Sequence, residues 1–118
     1  MKKISNEEDI RRDIKNSKVN LGCNDRDDRI YRSIKSIVDE GSIYYVLTDN
    51  PEQTSDIFRI LIDNKIVIGF ELDRNDPEAA PEEIQTYSVK DYRKAIGRGL
   101  AQVKLRIALE LAQEELNR

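Results

Sequence analysis

Apolar residues recur along the chain in two periods, and the switches between them mark its elements. Ile10 and Ile14 sit one turn apart behind Ser5 and Glu8, whose spacing is that of a capping box. A short opening helix with a thin apolar stripe is predicted there, packed at the periphery. Residues 16–23 are polar, with Val19 and Leu21 alternating as in a linker or short strand. Ile30, Tyr31, Ile34, Ile37 and Val38 then form an i, i+1, i+4, i+7, i+8 stripe, which predicts a second helix. Asp25, Asp27 or Asp28 is suited to cap its positive end, and Gly41 stands where a left-handed residue would close it.

Strand patterns follow at 42–48, 56–62 and 66–73, the first set off from the second by Asp49, Asn50 and Pro51. A two-residue loop, Asp63-Asn64, would set Ile66, Ile68 and Phe70 opposite Leu61, Arg59 and Ile57, burying an arginine. A three-residue loop, Asp63-Asn64-Lys65, sets them opposite Ile62, Ile60 and Phe58, so that every pair is apolar. The second register is expected, with Lys65 placed to take the left-handed conformation. The opposite face then carries Ile57, Arg59, Leu61, Val67, Gly69, Glu71 and Asp73, a half-apolar set to be covered by the chain or by a partner.

Residues 74–85 read as an acidic surface loop holding Pro77 and Pro81. Ser88, with Asp91 three positions on, opens the last helix. Its main stripe is Val89, Tyr92, Ile96, Leu100, Val103, Ile107 and Leu111. A second, nearly opposite, is Leu105, Leu109, Ala112 and Leu116. Unbroken to Asn117, this helix would run on the order of 43 Å at 1.5 Å per residue, against a radius of gyration of ~13.5 Å for such a domain. Either it bends at Gly97-Arg98-Gly99, or its end projects toward a partner.

These elements give an α+β domain spanning 1–118: two N-terminal helices, a three-stranded antiparallel meander and a long C-terminal helix packed on the sheet. The 118 residues suffice for one core without disulfides or metals. Cys23 is the only cysteine, which predicts no internal disulfide and a reducing, cytoplasmic setting. The start has charges but no apolar segment of a signal peptide, and no apolar run approaches the ~20 residues of a membrane helix.

Charge changes this picture most. The net is +1 over 1–40, −7 over 41–88 and +3 over 89–118, within a total of −3. Such polarity bears on association and on the sign of a partner. Asp49, Glu52, Asp56, Glu71, Asp73, Asp76, Glu78, Glu82 and Glu83 fall on the sheet or its flanking loops with little local compensation, and are the candidate partner-binding residues. The basic set Lys90, Arg93, Lys94, Arg98, Lys104 and Arg106 opposes the dipole of the last helix. Its bases scatter around the helix, so pairing with the upstream acids Asp76, Glu78, Glu82 and Glu83 is favoured over nucleic acid.

Catalytic candidates are few. Histidine is absent, which removes the commonest general base and zinc ligand. Cys23 has neither a histidine nor a second cysteine to activate it. Asp25-Arg26-Asp27-Asp28 lacks the glycine and closing glutamate of a calcium loop. Glu71 and Asp73 would need Asp56 or Asp63 to hold magnesium, and the basic residue such sites use is missing at that spacing. Gly97-Arg98-Gly99 follows no strand and is no phosphate loop.

The reading expected is therefore a non-catalytic, acidic protein-binding domain with no cofactor and no metal. Its most specific form is an inhibitor that neutralises a basic enzyme, such as a bacterial immunity protein or antitoxin occluding a toxin nuclease. Second is a homodimeric regulatory or scaffold protein, with Leu105, Leu109 and Leu116 as the oligomer interface or packed on the first helix. Third is nucleic-acid binding through Lys90–Arg106. No membrane partner is expected.

Overall fold

A computed structural model describes residues 7–20, 22, 24–39 and 41–118. The capping box at Ser5, together with Leu21 and Cys23, lies outside the described residues. The order is α1 (Glu7–Asn16), α2 (Asp25–Ile37), β1 (Tyr44–Pro51), β2 (Ser55–Ile62), β3 (Ile66–Asp73), β4 (Glu82–Ser88), α3 (Val89–Ile96) and α4 (Leu100–Leu116). The α+β class is as expected, with four strands in place of three and the last helix in two pieces.

The strands form one antiparallel meander, β1-β2-β3-β4. Ile62 lies opposite Ile66, Ile60 opposite Ile68 and Phe58 opposite Phe70, the register of the three-residue loop. The left-handed residue in that loop is Asp63 (φ 53°), not Lys65. Its carboxylate accepts from the amides of Ser42 and Ile43, at 3.1 and 3.0 Å, which holds the entry to β1. β1 runs on through Asp49, Asn50 and Pro51. Proline is tolerated there because β1 is an edge strand. Along its outer side Lys18 bridges Tyr45, and the Ser17 hydroxyl accepts from the Val46 amide at 3.1 Å.

Alternation gives the sheet two buried faces. Tyr44, Val46, Phe58, Ile60, Ile62, Ile68, Phe70 and Leu72 pack on Ile30 and Ile34 of α2. Tyr45, Leu47, Leu61 and Val67 pack on Ile10 and Ile14 of α1, Tyr92 of α3, and Leu105, Ile107, Ala108, Leu111 and Ala112 of α4. The sheet is thus a middle layer between α2 and the other three helices. At roughly 1.5–3 kcal/mol per fully buried aliphatic or aromatic side chain, these two faces supply most of the driving force for folding.

Two expectations at α2 are corrected. Asn24 caps the helix, its side chain accepting from the Asp27 amide at 2.7 Å. Asp27 and Asp28 instead accept from the amides of Asn20 and Gly22, at 3.1 and 2.6 Å, tying the preceding turn to the helix. Gly41 is not the helix cap, since α2 ends at Ile37 with Val38 extended. Gly41 has φ 110°, and a Cβ there would lie 2.5 Å from Ile62 Cγ2, so close approach to β2 is what demands glycine.

Gly97 and Gly99 take φ of 66° and 101°, which ends α3 and restarts the chain as α4. The break explains why one stripe does not run through both helices. Of the positions that the stripes and the hairpin register turn inward, Ile34, Ile60, Ile68 and Phe70 are buried, whereas Ile96 and Val103 are only half-buried. α4 is phased by Leu105, Ile107, Ala108, Leu111 and Ala112, leaving Leu100 at 52% exposure. Leu105 sits within the cluster containing Ile10 and Ile14, Leu109 packs on its margin, and Leu116 is exposed. With the chain folded back, the radius of gyration is 14.2 Å.

Candidate functional site

The strongest chemical feature is the half of the sheet that no helix among the described residues closes. Ile57, Arg59, Gly69, Glu71 and Asp73 alternate onto the face that carries α3, but toward the end away from the Leu61–Val67 core. Ile57, Arg59, Glu71 and Asp73 are half-buried there. Glu82 of β4 lies directly opposite Glu71 in the register, so two carboxylates face each other across neighbouring strands. Ser55 donates to Glu71 at 3.3 Å, and neither glutamate is in an ion pair among the described residues. The Arg59 guanidinium lies over Gly69, where a Cβ would meet its Nη1 at 2.8 Å, and roofs the sheet between this end and the core.

The nine predicted acids do not form one patch. Asp49 lies on the α2 face and pairs with Arg26 at 2.7 Å, while Arg26 also stands over the Phe58 ring at 5.7 Å. Asp56, on that same face, pairs with Arg74 at 2.6 Å. These two are locally neutralised. Glu71, Asp73 and Glu82 share the opposite face. Glu52 lies in the β1–β2 turn, and Glu83 (φ 51°) sits at the register shift between β3 and β4. Asp76 and Glu78 belong to the β3–β4 connection, where the Asp76 carboxylate accepts from the Glu78 amide at 3.1 Å. Seven of the nine thus lack an ion pair among the described residues: Glu52, Glu71, Asp73, Asp76, Glu78, Glu82 and Glu83.

Arginines order this acidic region through its backbone. Arg29 of α2 donates to the carbonyls of Asp73 and Asp76 at 2.8 and 2.9 Å. Arg74 donates to the carbonyls of Gln53 and Ser55, at 2.7 and 3.2 Å, and to that of Glu52.

The expected pairing of the basic set with Asp76, Glu78, Glu82 and Glu83 does not occur among the described residues. Arg106 pairs with Glu7 at 2.8 Å and Glu110 at 3.5 Å, but Lys90, Arg93, Lys94, Arg98 and Lys104 have no ion pair among the described residues. α3 turns Val89, Tyr92 and Ile96 inward, with Tyr92 against Tyr87 at 5.5 Å, and leaves Lys90, Arg93 and Lys94 exposed. The upstream acids are held in β4 and in the Arg29-bound connection instead of lying along the helix. Burial raises the Tyr92 phenol above its ordinary pKa, so it stays neutral under α3.

The acids considered for magnesium are separated. Asp56 lies on the face opposite Glu71 and Asp73, and Asp63 is at the far end of the hairpin. No group of three metal-ligating side chains occurs among the described residues. A groove of ≈ 410 Å³ runs between α1, β1 and the start of α4, lined by Ile10, Ile14, Leu47 and Leu100 with Asp13 and Lys104 at its margin. Two of its polar lining groups, Arg26 and Asp49, are spent on each other as an ion pair at 2.7 Å. No helix among the described residues is long and apolar enough to cross a membrane.

Sequence reasoning missed β4. Ile84, Thr86 and the alternate Gln85, Tyr87 carried a period-2 signal, masked by the acids and prolines before them. It also missed Arg29 and Arg74 as ordering groups, since neither neighbours in sequence all the carbonyls it holds. No family model matches the chain, and neither does any curated protein or solved structure.

Proposed function

We propose that this chain is a non-catalytic binding protein that receives a basic protein on the open half of its sheet. The observation that carries the reading is the set of seven acids without an ion pair, three of which, Glu71, Asp73 and Glu82, share one face beside half-buried Ile57. An apolar centre with a charged rim is the usual anatomy of a protein interface. The rim acts chiefly on association rate and on rejection of wrong partners. In its most specific form the partner is a basic enzyme, such as a bacterial toxin nuclease neutralised by an immunity-type inhibitor. Cys23, a lone thiol, suits a reducing cytoplasm.

Capture of the partner, followed by association kinetics, tests the proposal. The association rate falls as salt rises, because screening acts over ~8 Å at physiological ionic strength. Glu71→Lys with Asp73→Lys weakens the complex without unfolding the chain, while Lys90→Glu, Arg93→Glu and Lys94→Glu together weaken it less. The reverse ranking would replace this reading with an anionic partner held by α3, for which nucleic acid is the first candidate. That second reading is favoured by one observation, the unpaired bases of α3.

A further inference from the structure

The two edges of the sheet are treated differently. β1 has residues 17–19 along part of its outer side and Pro51 at its end. Among the described residues β4 pairs only with β3, and its outer side has no strand to complete alternate backbone amides and carbonyls. Ile84 projects from β4 at 50% exposure, one of three large apolar side chains so exposed among the described residues.

Charge at the two ends of β4 is opposite. Glu82 and Glu83 open the strand, while α3 leaves directly from Ser88 at its other end and carries Lys90, Arg93 and Lys94. None of these five is in an ion pair among the described residues. Glu82 points to the sheet face of its opposite, Glu71, and α3 packs on that same face through Tyr92 and Tyr87.

We propose that β4 is a self-association edge, on which a second copy of this chain pairs antiparallel about a two-fold axis normal to the sheet. Such an axis keeps α3 of both copies on one face of a continuous sheet. Centred on Gln85, the pairing brings the Glu82–Glu83 end of one β4 beside Ser88 of the second copy. The acids at the start of each β4 then lie beside the first turns of the other copy's α3. Ile84 falls opposite Thr86, which brings the two exposed isoleucines together across the axis. An extended basic segment from another protein would satisfy the acids alone and leave the bases of α3 unpaired. A second copy satisfies both sets in one symmetric contact, and this selects the occupant. The register shift at Glu83 keeps the added ladder short, which puts the dimer among the small interfaces, under about 1,200 Å², where weak contacts sit. The dimer and the basic partner would draw on the same Glu82 and Glu83, but self-association is read on the pure chain, so its failure is distinguishable from failure of the basic-partner reading.

Sedimentation of the full chain from about 5 to about 500 µM brackets an interface of that strength. The wild type passes from monomer to dimer across this range, and the dimer dissociates as salt rises. Glu82→Lys with Glu83→Lys, and separately Lys90→Glu with Lys94→Glu, each give a folded monomer by circular dichroism. Mixing the two variants restores a dimer, because both charged contacts are then of opposite sign again. Thr86→Pro, which removes an amide from the exposed edge strand, abolishes dimerisation; should it unfold the chain, the charge-swap mixture decides alone. A wild type that stays monomeric throughout, or a dimer indifferent to both charge reversals, overturns the proposal.

Discussion

Glu71 and Glu82 face each other across β3 and β4 with no ion pair among the described residues, and the chain should be stabler without one of those charges. Directly opposed residues have Cβ atoms ~4.5–5.5 Å apart, which places the carboxylates roughly 6 Å from each other. Coulomb's law at an effective dielectric of about 40–80 then gives about 0.7–1.4 kcal/mol of repulsion before screening. A Debye length of ~8 Å at physiological salt cuts this to about 0.5 kcal/mol. Glu71→Gln keeps an acceptor for the Ser55 hydroxyl, so the substitution removes charge and little else. The expected gain is about 0.5 kcal/mol, equivalent to a rise of about 2 °C in Tm for a chain of this size. Urea denaturation of dilute protein measures it, shifting the midpoint upward by about 0.3–0.5 M. The gain shrinks at high salt and vanishes in the Glu82→Gln background, where no pair remains. A loss of stability, or a gain unaltered by Glu82→Gln, would refute the reasoning. Confirmation would mean that the chain retains a destabilising charge pair on its open face, as sites kept for binding commonly do.

The other predictions concern the core, the turns and one phenol. Leu105→Ala should cost about 2–5 kcal/mol, since Leu105 is 1% exposed, whereas Leu116→Ala at 40% exposure should stay within about 0.5 kcal/mol in the same urea series. Gly41→Ala should cost about 2–4 kcal/mol, from the positive φ and the contact with Ile62 Cγ2, and a smaller loss than Leu116→Ala would show that the turn relaxes freely. Burial, reinforced by the neighbouring Glu115 carboxylate, pushes the Tyr45 phenol up to about 12. The unfolded phenol ionises near its ordinary value of ~10, so this contribution is intact below that pH and is lost as pH rises toward the folded value. Tyr45→Phe should remove one late-titrating phenol from the ultraviolet absorbance titration and flatten the alkaline loss of stability. Arg29→Ala should speed amide hydrogen exchange around 76–81 while leaving Ile60 and Ile68 protected, because Arg29 holds the carbonyls of Asp73 and Asp76.

Local periodicity made most of the fold legible. The pairing of β2 with β3 followed from one criterion, that no arginine be buried opposite Ile68, because a one-residue slip turns every side chain to the other face. The stripe of α2 was equally plain, and Ile30 and Ile34 lie where it placed them. β4 was hidden for a physical reason: it buries only Tyr87 in part, so its sequence was never required to be apolar. The phase of α4 was hidden because two positive-φ glycines reset the helix axis, which no stripe drawn through them can register. At the site, acid composition was visible and acid grouping was not. Asp49 and Asp56 are neutralised by Arg26 and Arg74, both pairs being distant in sequence, while Glu71 and Glu82 meet through strand pairing alone.

How the chain uses its arginines ties these observations together. A region with a net charge of −7 needs cations to hold its turns in place, and the direct solution is to pair them with the carboxylates. Arg29 does not do this: its guanidinium is spent on the carbonyls of Asp73 and Asp76. Arg74 takes one carboxylate, that of Asp56, and gives its remaining bonds to the carbonyls of Glu52, Gln53 and Ser55. The planar donor fork of arginine suits this bridging of several acceptors, which a lysine ammonium cannot reproduce in one geometry. Both ends of the acidic region are therefore ordered by cations that leave Glu71, Asp73, Glu82 and Glu83 without an ion pair among the described residues. Ordered turns lower the entropy cost of an encounter, and unpaired carboxylates keep the field that drives it. A surface that served solubility alone would need the charges but not the order, and their combination is what the proposed binding of a basic partner would use.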